Sequence, residues 1–462
     1  MTAAARLAKF GGSWLGWIVA TFLVTVALAI PLYRAGTLRT LGGVQFGASD
    51  WVMSDFRSVV YYPAKAFRDG LNPYDAARYL PRYPVPEPFR AYPPAMLLVA
   101  QPFALLPPGA AVRAQVALTL VLTAALAWWS LSLVGSSQGA LGVTVLSSLI
   151  LLSRPGHWNL LQGHITVVIV LAVYAALAVP RTRVALGALA LAVALLKPNF
   201  GVPLAVLMLA AGRTRAVVAG LAVTALLNVP VLAVLSERSG GVVRTLRLMV
   251  EGGSPEASEL ASQYALFRVD ASALVSRFAG VSLGPVLPFM LGAGVLGLAA
   301  VLTRRRLRMG GEGWEDPVWV GLACTAILLC VYHIGYDLLL LVWPATAIVV
   351  AFVTRGGERS RRAWVELGLV GILAGNYLAT YAFMQVLGFG TVPALLAVSL
   401  NGLAVSSLFA LYAGDALSGA SARTWAQGAR SFGAYSERAE GTLAEGRDSK
   451  APDGAANVAN DR

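Results

Sequence analysis

Asp55, in the run Met53-Ser54-Asp55-Phe56-Arg57, is the side chain best placed to take up a proton. A carboxylate partly shielded from water is a usable general base. It stands ahead of Tyr61-Tyr62, and Val59 to Asp69 has the apolar spacing of an amphipathic helix lying on a membrane. The same carboxylate, or Ser54 beside it, is also placed to cap a helix over 56–69. Asp50, five residues earlier, is the competing base.

The three histidines fall at or near predicted helix ends. His157 and His164 bracket Gly156-His157-Trp158-Asn159-Leu160-Leu161-Gln162-Gly163-His164, and His333 lies in Val331-Tyr332-His333-Ile334-Gly335-Tyr336-Asp337. Ionisable groups this close to hydrocarbon are costly and point to function, although an imidazole bonded to a neighbouring helix is the plainer alternative. His333 is the stronger candidate, because Asp337 follows one helical turn later and can orient or charge the ring. Lys197 closes the uncharged run Val184 to Leu196 and precedes Pro198. Its ammonium either binds an anion such as a phosphate or snorkels to the headgroups. Arg57, Arg90 and Arg268 add outer-loop cations whose forked guanidinium suits phosphate, although each alone also reads as a solvated loop charge.

The elements that must carry these residues are membrane helices. The chain is 57% hydrophobic with a mean hydropathy of +0.68. Apolar runs long enough to cross a bilayer recur at 13–33, 110–134, 138–153, 164–180, 183–197, 199–211, 214–236, 282–303, 317–335, 336–354, 363–387 and 391–414, about twelve in all. The expected class is an all-α polytopic integral membrane protein. Its parts are a cytosolic N-terminus (1–12), a membrane domain (13–414) and a disordered cytosolic tail (415–462). The first run lacks a signal-peptide cleavage pattern and reads as a retained helix.

Two hydrophilic loops interrupt the pattern, at 34–92 and 237–281. The net charge of +13 lies mostly in short Arg clusters between apolar runs, at 180–183, 212–215, 304–316 and 355–362. That distribution is the positive-inside signal rather than a nucleic-acid footprint. It places both termini in the cytoplasm, and both long loops, the Lys197-Pro198-Asn199 break and Tyr332 to Asp337 outside. Residues 93–107 are short and bounded by prolines, so a broken or half-inserted helix is expected there. The helices 183–197 and 199–211 form a second broken pair, its tip at Lys197. The second loop is expected to lie partly as an amphipathic helix in the interface.

No Gly-rich phosphate loop, Ser/His/Asp elbow or Cys/His zinc spacing is present, and Cys324 and Cys330 are not spaced for a disulfide. No cofactor or metal is expected. A one-sided array of polar groups with long loops on the same side suits an enzyme acting at the membrane surface. A lipid-linked-sugar flippase or secondary transporter is the alternative, although it would place charges near the midplane and usually carries repeats.

The order of short motifs resembles glycosyltransferase family 87. They are Asp55-Phe56 before Tyr61-Tyr62, Gly70-Leu71-Asn72-Pro73-Tyr74, Tyr92-Pro93-Pro94 with an apolar run to Leu106-Pro107, Gln162-Gly163, Leu196-Lys197-Pro198, and Tyr332-His333 through Asp337. The resemblance spans about 10–414 and implies a GT-C fold. It also implies transfer of a sugar, mannose or another hexose or pentose, from a polyprenyl-phosphate carrier to a lipid-linked or glycan acceptor at the outer face of the cell membrane. By the same resemblance Asp55 is the base, and His333 is catalytic. Lys197, with Arg57, Arg90 and Arg268, would meet the donor phosphate. Asn72, Tyr74, Tyr92, Gln162, His164 and Asp337 would line the acceptor or sugar site. The partners implied are the donor, the acceptor and membrane lipids. The insertion Arg78 to Pro88 between the Asn-Pro-Tyr and Tyr-Pro-Pro motifs departs from the family pattern.

Overall fold

A computed structural model describes residues 14–42, 52–85, 89, 92–135, 139–251, 267–308, 316–354, 360–388 and 390–418. Asp50, Arg90, the N-terminus 1–12, residues 252–266 and the tail from 419 onward lie outside the described residues.

The described chain is helical, and its one β-bridge, Arg268 to Ile334, is isolated. Six helical stretches are long and apolar enough to cross a membrane: Trp14–Pro31, Pro108–Leu133, Thr214–Ser239, Val286–Arg308, Gly335–Val353 and Val392–Ser418. Five more apolar helices are shorter: Ala140–Leu152, Thr166–Ala178, Val184–Ala194, Pro198–Ala210 and Pro317–Cys330. The figure of twelve spans is therefore not carried over. At 1.5 Å per residue an 11-residue helix reaches only about 17 Å, against a hydrocarbon core of about 30 Å. The run 363–387 is also not one helix but two, Arg361–Gly375 and Tyr381–Leu387.

The long helices turn large apolar side chains outward, among them Trp14, Phe22, Val121, Leu226, Phe289 and Val301. Water would oppose such a surface and lipid accepts it. Of the shorter helices, Pro317–Cys330 fills the interior. Every residue from Val318 to Cys330 is buried, and this helix packs on Val286–Arg308 and Val392–Ser418. Both cysteines are buried and unpaired with each other.

The first loop differs from its expected form. The opening helix continues from Trp14 to Gly42, and the described residues between 52 and 107 then contribute most of a second apolar core. Phe56, Tyr61, Tyr74, Tyr79, Phe89, Met96 and Leu97 pack there against Val231 and Leu235 of the Thr214–Ser239 helix. Cross-links fix it in place. Asn72 Nδ2 donates to Ser239 Oγ at 2.8 Å, Arg238 donates to the Phe67 carbonyl at 2.6 Å, and Tyr61 donates to the Leu106 carbonyl at 2.9 Å. The stretch 93–107 is broken into Ala95–Val99 and Gln101–Ala104, as its length and prolines predicted.

The two ends of the bundle carry different chemistry. At one end, ion pairs lock helix termini: the buried Arg306 to Asp316 at 2.5 Å, and the exposed Arg362 to the buried Asp415 at 2.5 Å. Arg213 donates to the last carbonyls of the Thr166–Ala178 helix, those of Ala176 and Leu177. At the opposite end of that helix, Thr166 faces Lys197 and Asp337.

Candidate active site

Local backbone geometry presents Asp55. Met53 is the one non-glycine described residue with positive φ, at 55°, a costly conformation for a side-chain-bearing residue. Its amide donates to the Leu161 carbonyl at 2.9 Å, which pins the loop to the helix Arg154–Gln162. Asp55 then precedes a short π-helix, Phe56–Tyr61, and its side chain makes no capping bond. The carboxylate instead reaches across the chain, with Oδ2 2.5 Å from Nδ1 of His164. Its side chain is 30% exposed, whereas that of His164 is 2% exposed.

Gly163 makes this meeting possible. It ends its helix in the left-handed region, with φ 71°. A Cβ there would stand 2.7 Å from both Met53 Sδ and Phe56 Cβ. Gly163→Ala is therefore expected to push the first loop away from His164, destabilising the protein by more than about 1 kcal/mol and lowering turnover. Thermal unfolding and activity of the purified variant check this, and an unchanged melting point would contradict it.

His164 is held on its remaining sides. Nε2 stands 2.8 Å from Gln162 Oε1, and the ring lies 3.4 Å, centroid to centroid, from that of Tyr336. Tyr336 lies within electrostatic reach of Asp55, Asp337, Tyr92 and Tyr332, and its ring faces Lys197 Nζ at 4.7 Å. Tyr336 thus links two charged groups that are far apart in sequence. Neither Tyr336 nor the pairing of Asp55 with His164 was anticipated from the sequence. The position of Tyr336 next to Asp337 was the available signal.

Behind Tyr336 lies a buried triad. Lys197 Nζ donates to Asp337 Oδ1 at 2.5 Å and to Thr166 Oγ1 at 3.3 Å. His333 Nδ1 stands 2.9 Å from Asp337 Oδ2, and its Nε2 3.2 Å from the Asn199 carbonyl. Phe200 meets the His333 ring edge-on at 4.6 Å. The break between Val184–Ala194 and Pro198–Ala210 brings Lys197 here. Gly201 permits the turn, since a Cβ there would come within 2.6 Å of Leu195 Cα.

Arg268 borders this group. The bridge to Ile334 sets it beside His333, and the Val269 amide donates to the His333 carbonyl at 2.9 Å. Asp270 grips its guanidinium through two bonds of 2.8 Å, and Tyr332 packs against it at 5.0 Å. Arg277, drawn down to about 10 by burial, still carries its charge at neutral pH and donates to the Arg268 carbonyl at 2.6 Å.

The structure therefore brings Asp55, His164, Gln162, Lys197, Asp337, His333 and Arg268 into one connected region. Other expected site residues have different places. Arg57 is buried within the first loop, and its Nη1 donates to the Pro84 carbonyl at 3.5 Å. Asn72 accepts from the Tyr74 amide at 3.0 Å, closing a turn. Burial raises the Tyr74 hydroxyl well above the ordinary phenol range, so it stays protonated and donates to the Tyr92 carbonyl at 2.6 Å. Tyr92 stacks on Phe89. Arg90 lies outside the described residues. Among the described residues no three His, Cys, Asp or Glu side chains form a metal-binding group.

A carboxylate on an imidazole at a half-open edge, backed by paired cations, suits proton removal beside an anionic leaving group. A family model, glycosyltransferase family 87, matches residues 90–331, just over half of the chain. The chain belongs to that family and is a membrane glycosyltransferase. No curated protein and no solved structure matched it.

Proposed function

We propose that this GT-C-type enzyme moves a sugar from a polyprenyl-phosphate carrier to a lipid-linked or glycan acceptor at the outer face of the membrane, with Asp55 as base. The acceptor O–H bond breaks as its proton passes to Asp55. The acceptor oxygen bonds to the anomeric carbon, and the carbon–oxygen bond to phosphate breaks, its electron pair leaving with the polyprenyl phosphate. The placement of Asp55 carries this reading: it is the part-exposed carboxylate of the cluster, turned from a capping role onto His164. Lys197 and Arg268 are the cations assigned to the leaving phosphate, and His333 holds the Asp337 carboxylate that pairs with Lys197. A donor carried in the bilayer agrees with a part-exposed Asp55 in a bundle of helices that turn apolar side chains outward.

The test is incubation of the purified protein with defined polyprenyl-phosphate sugars and candidate lipid acceptors, read by mass spectrometry. The acceptor is expected to gain one sugar, with release of polyprenyl phosphate. The same product from a sugar nucleotide alone would overturn the donor assignment.

Sidedness has its own test. Ser58 is buried, so the exposed Arg78 is the better reporter position on the first loop. Arg78→Cys is expected to react with a membrane-impermeant maleimide in intact cells, while the buried Cys324 and Cys330 stay silent. Labelling confined to lysed cells would place the loop in the cytoplasm.

A further inference from the structure

Asp55 Oδ2 and His164 Nδ1 stand 2.5 Å apart. Both are acceptors when unprotonated, and two lone pairs do not approach so closely, so a proton lies between them. The other ring nitrogen faces Gln162 Oε1 at 2.8 Å. A carbonyl oxygen only accepts, so with the amide in this orientation Nε2 carries a proton as well. The pair then holds one proton more than a working base can. It is an imidazolium against a carboxylate, or a carboxylic acid donating to a neutral ring.

The Gln162 amide has two ends of nearly equal size and opposite hydrogen-bonding character. Turned over, its NH₂ group faces Nε2, which must then be bare. The neutral ring is held with its hydrogen on Nδ1, donating to Asp55 Oδ2. Asp55 stays ionised and ready to take a proton. The ring has no comparable freedom. Tyr336 packs tilted against it, the His164 amide donates to the Asn159 carbonyl at 3.1 Å, and Gln115 donates to the Gly163 carbonyl at 3.2 Å. No other hydrogen bond among the described residues fixes the Gln162 side chain.

We propose that Gln162 is a positioning residue whose amide sets the protonation state of the Asp55–His164 pair. Its NH₂ end toward the ring marks the base-competent state, and its oxygen toward the ring marks a resting state in which Nε2 holds a proton and Asp55 is the weaker base. This inference rests on the reading of Asp55 as the base. In the cycle, the acceptor's proton bonds to Asp55 while Nδ1–H of the neutral ring still donates to Oδ2, and the amide keeps its NH₂ end toward the bare Nε2. Loss of one proton to water at the exposed edge of Asp55 restores the start. The charged and titratable groups around the ring are Asp55 from the first loop, Tyr336 and Asp337 from the helix after His333, and Lys197 across the Tyr336 ring. Tyr92 and Tyr332 are the nearest further hydroxyls.

The test is the pH dependence of kcat and KM for the full-length protein in lipid nanodiscs. Gln162→Glu offers Nε2 a carboxylate, which only accepts and favours the doubly protonated ring. The acidic limb of kcat is expected to move to higher pH by about one unit or more, with KM for the donor little changed. His164→Asn keeps an N–H donor toward Asp55 but cannot ionise. It is expected to retain far more activity than His164→Ala. Adding Gln162→Glu to His164→Asn should then no longer move the acidic limb. A Gln162→Glu profile that superimposes on the unmodified one overturns the proposal, and so does a shift that persists in the His164→Asn background. Either result leaves Asp55 as base untouched. Full activity in Asp55→Asn would remove the reading beneath it.

Discussion

Asp55→Asn is expected to lower sugar transfer by about 10²–10⁴-fold, the usual contribution of a positioned general base. The change is nearly isosteric, and Asn caps helices as well as Asp. Since the native carboxylate makes no capping bond, the variant should fold and insert normally. Turnover measured per folded molecule checks this, alongside the melting profile. Near-normal turnover would remove Asp55 from the chemistry and make Asp50 the next residue to change.

The second large effect concerns the triad behind Tyr336. Lys197 and Asp337 are both buried and meet at 2.5 Å. Lys197→Met keeps the side-chain length and leaves Asp337 with His333, Thr166 and the Ile334 amide. Removing one partner of a buried pair typically costs about 3–5 kcal/mol, so a clear fall in melting temperature is expected. Asp337→Asn in the same chain removes the stranded charge while still accepting from His333, and should recover part of the loss. Donor turnover separates structure from binding. If the double variant is stable yet its donor KM rises about tenfold, as loss of one charge-assisted contact implies, Lys197 also serves the phosphate. A stable double variant with an unchanged donor KM would leave Arg268 as the cation for that role.

Parts of this site were legible because they are local. His333 and Asp337 are four residues apart, and the structure joins them at 2.9 Å. Lys197 announced itself as the charge at the end of an apolar run ahead of a proline, and the helix does break there. Most helix positions followed from hydropathy, since lipid-facing and core-facing residues are alike apolar. That same likeness hid the lengths. Hydropathy does not show where a helix ends inside an apolar run, so 363–387 read as one element when it is two. The link between Asp55 and His164 joins segments that are distant in sequence, and no periodicity carries it. Gly163 holds the clue in hindsight, because its backbone is needed where Met53 and Phe56 approach. Arg57 illustrates the opposite case. Its type suits phosphate, but its packing beneath Pro84 is a property of the folded loop.

The isolated bridge between Arg268 and Ile334 has a consequence for synthesis. It joins the second long loop to the segment that carries His333 and Asp337, and Tyr336 arrives with that segment. A chain still emerging from the ribosome can bring Asp55 to His164 early. Lys197 would then have no carboxylate partner from Asp337, and the His164 ring no Tyr336 to rest on. Because elements made first tend to fold first, the Asp55–His164 pair would wait, loosely held, for the last third of the polypeptide. The enzyme is in this sense fastened from its C-terminal side, and a nascent chain stalled before Ile334 would occupy the translocon with its chemistry switched off.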